Sequence, residues 1–261
     1  MNNDFFVSIL AMASYIMPVI AGVAGLVLGI IVLSAKVKPT KILGLSVLFS
    51  SLSTLISGAY TLTLASGGGI KLARLSVVQS VAAGILLIAV YFCISFYIHK
   101  NYGKKYIYIP LMLIPFVGRL CSTVVSILIN RLAASTDSLP FLISSTSNVG
   151  NLIVSVVVTI ILIVVFFKNR KIEKIIPHTY IIYIISLAWT VISELFTIVY
   201  YELMVLRAME LLNAKFLNDL SLGGYMDMLM IFYMFGALVG LIFPIYLTVM
   251  VMKESRKAEI E

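Results

Sequence analysis

The sequence predicts an all-α polytopic membrane protein, a bundle of seven transmembrane helices, and three observations lead to that prediction. Of the 261 residues, 61% are hydrophobic and only 11% are charged, whereas soluble domains are about 45–50% apolar. The mean hydropathy is +1.11. The apolar residues also collect into runs longer than the roughly 20 residues that cross a bilayer. We therefore expect one membrane domain, residues 1–261, without a soluble domain.

Seven apolar runs are separated by short connections that are charged or rich in Gly, Pro and Ser. A backbone inside a membrane must satisfy its own hydrogen bonds, and the alternating pattern of barrel strands is absent, so each run is predicted to be a helix. The predicted spans are 5–34, 42–65, 77–98, 106–130, 141–167, 180–206 and 225–252. The connection 207–224 has apolar residues at helical spacing, and we interpret it as a surface amphipathic helix or an extension of the sixth span.

Lysine and arginine are distributed unevenly between the two sets of loops. Five lie on one side, Arg119 lies within a span, and thirteen lie on the side of the C-terminus: Lys36, Lys38, Lys41, Lys100, Lys104, Lys105, Lys168, Arg170, Lys171, Lys174, Lys253, Arg256 and Lys257. Excess positive charge stays cytoplasmic, so the N-terminus is predicted outside and the C-terminus cytoplasmic, in a multi-pass protein of the cell membrane. The net charge of +8 then describes an inner basic rim that faces anionic lipid head groups, and nucleic-acid binding has no support.

Arg119 and Glu194 are the two ionisable residues predicted to lie deep in the membrane. They are 13 and 14 residues from the cytoplasmic starts of the fourth and sixth spans, which places both roughly 20 Å above that side. A charge at a helix centre costs about 2.5–3.5 kcal/mol on insertion scales, so each should face the protein interior and pair with the other. Pro115, one turn before Arg119, should kink the helix and free backbone carbonyls near the charge.

Polar side chains recur at three- and four-residue steps in four spans, which puts each set on one helix face. The second span carries Ser46, Ser50, Ser53, Ser57 and Thr61, the fourth Arg119, Ser122, Ser126 and Asn130, the fifth Ser144, Asn148, Asn151, Ser155 and Thr159, and the sixth Ser186, Thr190, Glu194, Thr197 and Tyr201. These stripes are expected to line one polar cleft. Within it, the predicted solute-binding residues are Arg119, Glu194, Asn148 and Asn151, and the predicted secondary lining is Ser126, Asn130, Thr190, Thr197, Ser53 and Ser57.

Structural interpretations of the same residues stay open. Serine and threonine stripes are common where membrane helices pack closely, as are the glycine pairs Gly25/Gly29 and Gly236/Gly240. A buried ion pair can also serve only to fix helix orientation, or hold a partner subunit.

Catalysis is not predicted. The spans contain no paired aspartates, no serine with an intramembrane histidine and no HExxH motif. His99 and His178 lie in loops without a second ligand at metal-binding spacing, and Cys93 and Cys121 lie at different depths, so that we expect no metal, no disulfide and no cofactor.

Two hypotheses of function remain. The first is a small transporter or permease-like protein whose outward-facing cleft binds an anionic or zwitterionic solute near the midplane, where transporters place their sites. The alternative is a membrane-embedded sensor or accessory subunit that uses the same buried charges to hold a membrane partner or a second copy of the chain.

Overall fold

A computed structural model describes residues 3–35, 40–65, 71–102 and 222–260, together with individual helical residues between 153 and 199. The continuous parts form four helices: α1 (Asn3–Ser34), α2 (Thr40–Ala65), α3 (Lys71–Tyr102) and α4 (Leu222–Ile260). Each contains a stretch that is long and apolar enough to cross a membrane, namely Met12–Ser34, Thr40–Thr63, Val81–Asn101 and Met234–Arg256.

These helices confirm the prediction of an all-α membrane protein for the described part of the chain. They cover the predicted first, second, third and seventh spans. The count of seven and the orientation stay predictions, because the predicted fourth span and the connection 207–221 lie outside the described residues.

The four helices lie side by side in the order α3, α2, α1, α4, since α1 packs against α2 and α4 and α2 also packs against α3. Gly22 faces Leu55 and Gly29 faces Leu48, so α1 and α2 are antiparallel. In contrast, α1 and α4 run in the same direction, because Gly25 approaches Leu241 while Val32 joins a cluster containing Leu247. We call the end of the bundle with Lys41, Lys100, Lys253 and Arg256 the basic end.

Glycines allow α1 and α2 to approach each other closely along most of their length. A Cβ atom at Gly22 would lie 2.8 Å from the backbone nitrogen of Leu55, and one at Gly29 would lie 2.7 Å from a methyl group of Leu48. A Cβ atom at Gly25 would overlap the hydroxyl of Ser51, and one at Gly58 would lie 3.0 Å from the backbone of Val19. Small residues let membrane helices gain dispersion contacts that larger side chains would prevent, which favours this pairing.

A buried apolar cluster joins all four helices near the basic end. Its members are Val32, Leu43, Val47, Tyr97, Phe243, Leu247 and Val251. Each helix contributes from the part nearest its basic end, so the cluster occupies one end of the bundle and does not extend along its whole length. The same four helices therefore differ in interior composition from one end to the other.

Two prolines lie inside transmembrane helices. Pro18 is in α1 and Pro244 is in α4. Each lacks the N–H that would bond to the carbonyl four residues earlier, which in α4 is the carbonyl of Gly240. One turn later the hydroxyl of Thr248 donates a hydrogen bond of 2.8 Å to the carbonyl oxygen of Pro244. Side-chain bonds of this type often bend helices, so α4 has two bend-promoting features within three turns.

The predicted sixth span contacts α4 through aromatic side chains. The ring centroids of Trp189 and Phe232 are 5.6 Å apart, and those of Phe196 and Phe232 are 4.6 Å apart and stacked. A Cβ atom at Gly236 would lie 3.1 Å from the indole nitrogen of Trp189, so this glycine makes room for the indole ring. Aromatic pairs of this geometry add stabilisation beyond the area that they bury.

Most exposed side chains on the four helices are apolar and lie on a single side of each helix. The exposed stripe of α1 contains Met12, Ile16, Ile20, Val23, Val27 and Ile30, and that of α3 contains Val78, Val81, Ile85, Phe92 and Phe96. Exposed patches of this size are unusual on soluble proteins, whereas hydrocarbon chains satisfy them. We therefore assign these stripes to the lipid-facing surface.

The close approach at Gly22 predicts that Gly22→Ala destabilises the protein. The new methyl group would meet backbone atoms of Leu55 that cannot move independently, so we expect a loss on the order of 1–3 kcal/mol, as for other overpacked sites. Thermal unfolding in detergent, followed by circular dichroism, measures the loss. Gly84→Ala on α3 is the matched control, because a Cβ there meets nothing within 4 Å. Equal melting temperatures for the two variants would contradict the glycine interface.

The apolar cluster predicts a large difference between two truncations on α4. Leu247 is 0% exposed and Ile245 is 49% exposed on the lipid-facing side. Leu247→Ala leaves a cavity and should cost about 2–5 kcal/mol, whereas lipid fills the space left by Ile245→Ala. Thermal unfolding in detergent compares the stability of the two variants. A greater loss of stability for Ile245→Ala than for Leu247→Ala would show that the cluster is not the stabilising core.

Candidate functional site

The serine-rich stripe of α2 lies on the side of the helix opposite its lipid-facing residues. The exposed residues Lys41, Leu45, Leu52, Ala59 and Leu62 share one side of α2. At about 100° per residue, Ser46, Ser50, Ser53, Ser57 and Thr61 fall on the other side. The stripe therefore lies on the side of α2 away from its exposed apolar residues.

Ser50 is exposed, although it lies on the inward side of α2. Its neighbours in the stripe do not share this exposure: Ser46 and Ser53 are buried, and Ser57 is half-buried. Ser50 thus lies near the middle of a transmembrane helix, opposite the lipid-facing side of α2, and is still accessible. By helical rise, Ser50 lies roughly 14 Å from Lys41, which is near mid-membrane depth.

Gly240 on α4 shows the same combination. The exposed residues Leu238, Ile242, Ile245 and Val249 form the lipid-facing side of α4, and Gly240 falls on the opposite side. Gly240 is nevertheless exposed, and a Cβ atom built on it meets nothing within 4 Å. An open space therefore adjoins α4 as well as α2.

The two exposed inward positions lie at matching heights above the apolar cluster. Ser50 is three residues beyond Val47 and Gly240 is three residues before Phe243, and both Val47 and Phe243 belong to the cluster. On each helix, the members of the cluster lie toward the basic end and the accessible position lies on the far side of them. We give the name interior cleft to the exposed inward side of α2 and α4 at this height, and we call the apolar cluster, which lies between it and the basic end, its floor.

A polar contact between helices lies above the floor, on the α2–α3 side. The side-chain amide of Gln79 donates a hydrogen bond of 3.1 Å to the hydroxyl oxygen of Ser57. Within a membrane a glutamine side chain needs such a partner, since an unsatisfied amide costs several kcal/mol in hydrocarbon. Thr54, next to this contact on α2, donates its hydroxyl to the carbonyl of Ser50 at 3.0 Å.

The structure places two of the residues predicted to line the cleft. Ser53 is buried and Ser57 accepts the bond from Gln79. The others lie outside the described residues: Arg119, Ser126, Asn130, Asn148, Asn151, Thr190, Glu194 and Thr197. Within the described ranges, no group of three His, Cys, Asp or Glu side chains is arranged to hold a metal ion.

Sequence reasoning missed two features of this site. Gln79 lies inside the predicted third span, and an amide in an apolar run is a signal that would have identified it as an interhelical contact. Gly240 was interpreted as half of a packing motif with Gly236. The structure separates the pair, because Gly236 accommodates Trp189 while Gly240 borders the cleft. No sequence signal distinguishes the two glycines.

Comparison of the chain with protein-family models, with characterised proteins and with solved structures found no match. The candidate site is therefore defined by geometry alone: an interior cleft beside Ser50 and Gly240 at mid-membrane depth, above an apolar floor near the basic end.

Proposed function

We propose that this protein is a small transporter or permease-like protein whose interior cleft receives a solute from the side of the membrane opposite the basic end. The exposure of Ser50 carries this proposal, because it gives a polar group access to open space in the middle of a transmembrane helix. With the basic end cytoplasmic, as the distribution of lysine and arginine predicts, the cleft opens outward and its floor separates it from the cytoplasm.

The pattern of exposed residues in the predicted fifth and sixth spans also supports a polar interior lined by several helices. Ile153, Val157, Ile160, Val164 and Phe167 are exposed at three- and four-residue steps. At about 100° per residue, we expect Asn148 and Asn151 on the side away from these residues. The exposed residues Ile185, Ile192, Leu195 and Val199 define the lipid-facing side of the sixth span, and Thr190, Glu194 and Thr197 are expected opposite them.

The chemistry of the expected lining favours an anionic or zwitterionic solute. A guanidinium at Arg119 presents paired donors that match a carboxylate or a phosphate, and Glu194 would hold the ammonium group of a zwitterion. The asparagines and serines can donate or accept further hydrogen bonds. Such groups suit the binding and orientation of a solute, which is why we propose transport over catalysis.

The alternative is an accessory subunit, in which the charged pair holds a partner helix. The mass of the purified protein distinguishes the two. A stoichiometric partner that co-purifies would support the accessory role, whereas a homogeneous monomer or homo-oligomer is expected of a transporter.

The cleft predicts selective chemical labelling. In a background with Cys93 and Cys121 replaced by alanine, Ser50→Cys should react with a charged, membrane-impermeant thiol reagent added from the side opposite the basic end. Leu52→Cys, which is exposed toward lipid, and Val47→Cys, which is buried in the floor, should not react. Thiolates form only where water reaches the thiol, so equal reaction at positions 50 and 52 would rule out a water-filled cleft.

The charged pair predicts non-additive effects of substitution. Arg119→Met leaves Glu194 as an uncompensated buried charge and should cost on the order of 3–5 kcal/mol, as should Glu194→Met, while the double variant recovers most of the loss. Thermal unfolding in detergent measures this, alongside ligand-induced shifts against a panel of small metabolites. A solute that shifts the wild type and not the stable double variant supports the binding site. If the double variant keeps such a shift, the pair does not bind the solute.

A further inference from the structure

The basic end of the bundle carries lysine and arginine side chains at the boundary of the lipid-facing surface. Lys41, Lys100, Lys168, Lys253 and Arg256 are all exposed. They come from three of the four described helices and from the position directly after the predicted fifth span. Their positions on these helices, and not only their number, indicate what they contact.

Each of these basic residues is one helical turn from an exposed apolar residue on the same helix face. The pairs are Lys41 with Leu45, Lys100 with Phe96, Lys168 with Val164, Lys253 with Val249, and Arg256 with Met252. Residues four apart are neighbours on a helix surface. The basic groups therefore continue the lipid-facing stripes outward and sit where hydrocarbon gives way to head groups, as lysine and arginine do when they extend to the interface.

The last turns of α4 carry two such basic residues directly after one lipid-facing stripe. Its lipid-facing stripe, Phe235, Leu238, Ile242, Ile245, Val249 and Met252, ends directly in Lys253 and Arg256. From Phe235 to Met252 the stripe is roughly 25 Å long, which exceeds the length of a typical acyl chain and is close to the full hydrocarbon thickness. Glu254 falls on the other side of the helix, so its carboxylate does not lie between the two cations.

We propose that the lipid-facing side of α4 is a binding site for an anionic phospholipid. The acyl chains lie along Ile245, Val249 and Met252, and the head-group phosphate is held by Lys253 and Arg256. Residues three apart bring the ammonium and guanidinium groups to one phosphate, and the guanidinium supplies paired donors to its oxygens. This inference does not depend on the proposed transport.

A lipid explains this placement better than an acidic protein from the adjoining solution. A protein docking at the basic end would use charges directed along the bundle axis, whereas these side chains lie on the outward stripe that meets the bilayer. Near an anionic membrane surface, each such residue contributes about a fivefold preference for negatively charged lipid. Two residues on one phosphate are therefore expected to give a preference of up to about 25-fold.

The test compares phosphatidylglycerol with phosphatidylcholine of identical acyl chains. The purified full chain is mixed with each lipid in detergent, and native mass spectrometry counts the lipids retained. The wild type should retain phosphatidylglycerol preferentially. Lys253→Gln/Arg256→Gln should lose most of that preference, while Lys253→Arg/Arg256→Lys, which keeps both charges, should keep it. Arg207→Gln/Lys215→Gln removes the same charge from the predicted opposite side and should also keep it.

Two outcomes of the lipid comparison would overturn the proposal, and a salt titration adds a third. One is equal retention of the two lipids by the wild type. The other is an equal loss of preference in the Arg207/Lys215 control, which would assign the effect to net charge. If the double glutamine variant does not fold, the wild type alone still tests the proposal. Its preference for phosphatidylglycerol over phosphatidylcholine must fall as the salt concentration rises, because screening weakens an exposed ammonium–phosphate contact. A preference that salt leaves unchanged contradicts the site.

Discussion

The close packing of α1 on α2 is the contact on which the rest of the described structure depends. Lipid tails are as apolar as leucine, so membrane helices associate through dispersion and hydrogen bonds, and both need short distances. Gly22, Gly25 and Gly29 supply those distances by removing side chains where Leu55, Ser51 and Leu48 approach. With this pair held together, α3 is positioned on the free side of α2 and α4 on the free side of α1.

Within this arrangement of helices, the interior is packed with apolar side chains at the floor and accessible at the cleft. Near the basic end, Leu43, Val47, Phe243 and Leu247 are bulky enough to fill the interior. One turn further along, the inward positions are a serine, Ser50, and a glycine, Gly240. Both are too small to fill the interior in the same way. The boundary between the packed and the accessible interior thus coincides with a change in side-chain volume on both helices.

Hydropathy was sufficient to predict the described helices, because these depend only on local composition and helical periodicity. Helix neighbours were not predictable in this way. The motifs Gly25/Gly29 and Gly236/Gly240 are identical in spacing, yet Gly25 meets Ser51 while Gly240 meets open space. Ser57 was placed in the cleft lining, but its bond with Gln79 depends on α3 lying beside α2, which periodicity does not specify. The charged pair at Arg119 and Glu194 stays a sequence prediction.

The floor of the cleft joins helices that are far apart in the sequence, and this has a consequence for biosynthesis. Val32 and Leu43 are made well before Phe243, Leu247 and Val251, which belong to α4. Contacts between residues so distant in sequence form late, after a long loop has been closed. During synthesis α1, α2 and α3 can assemble in the bilayer before this cluster is complete. The cluster is completed only when α4 docks on α1, so a chain interrupted before α4 would lack it.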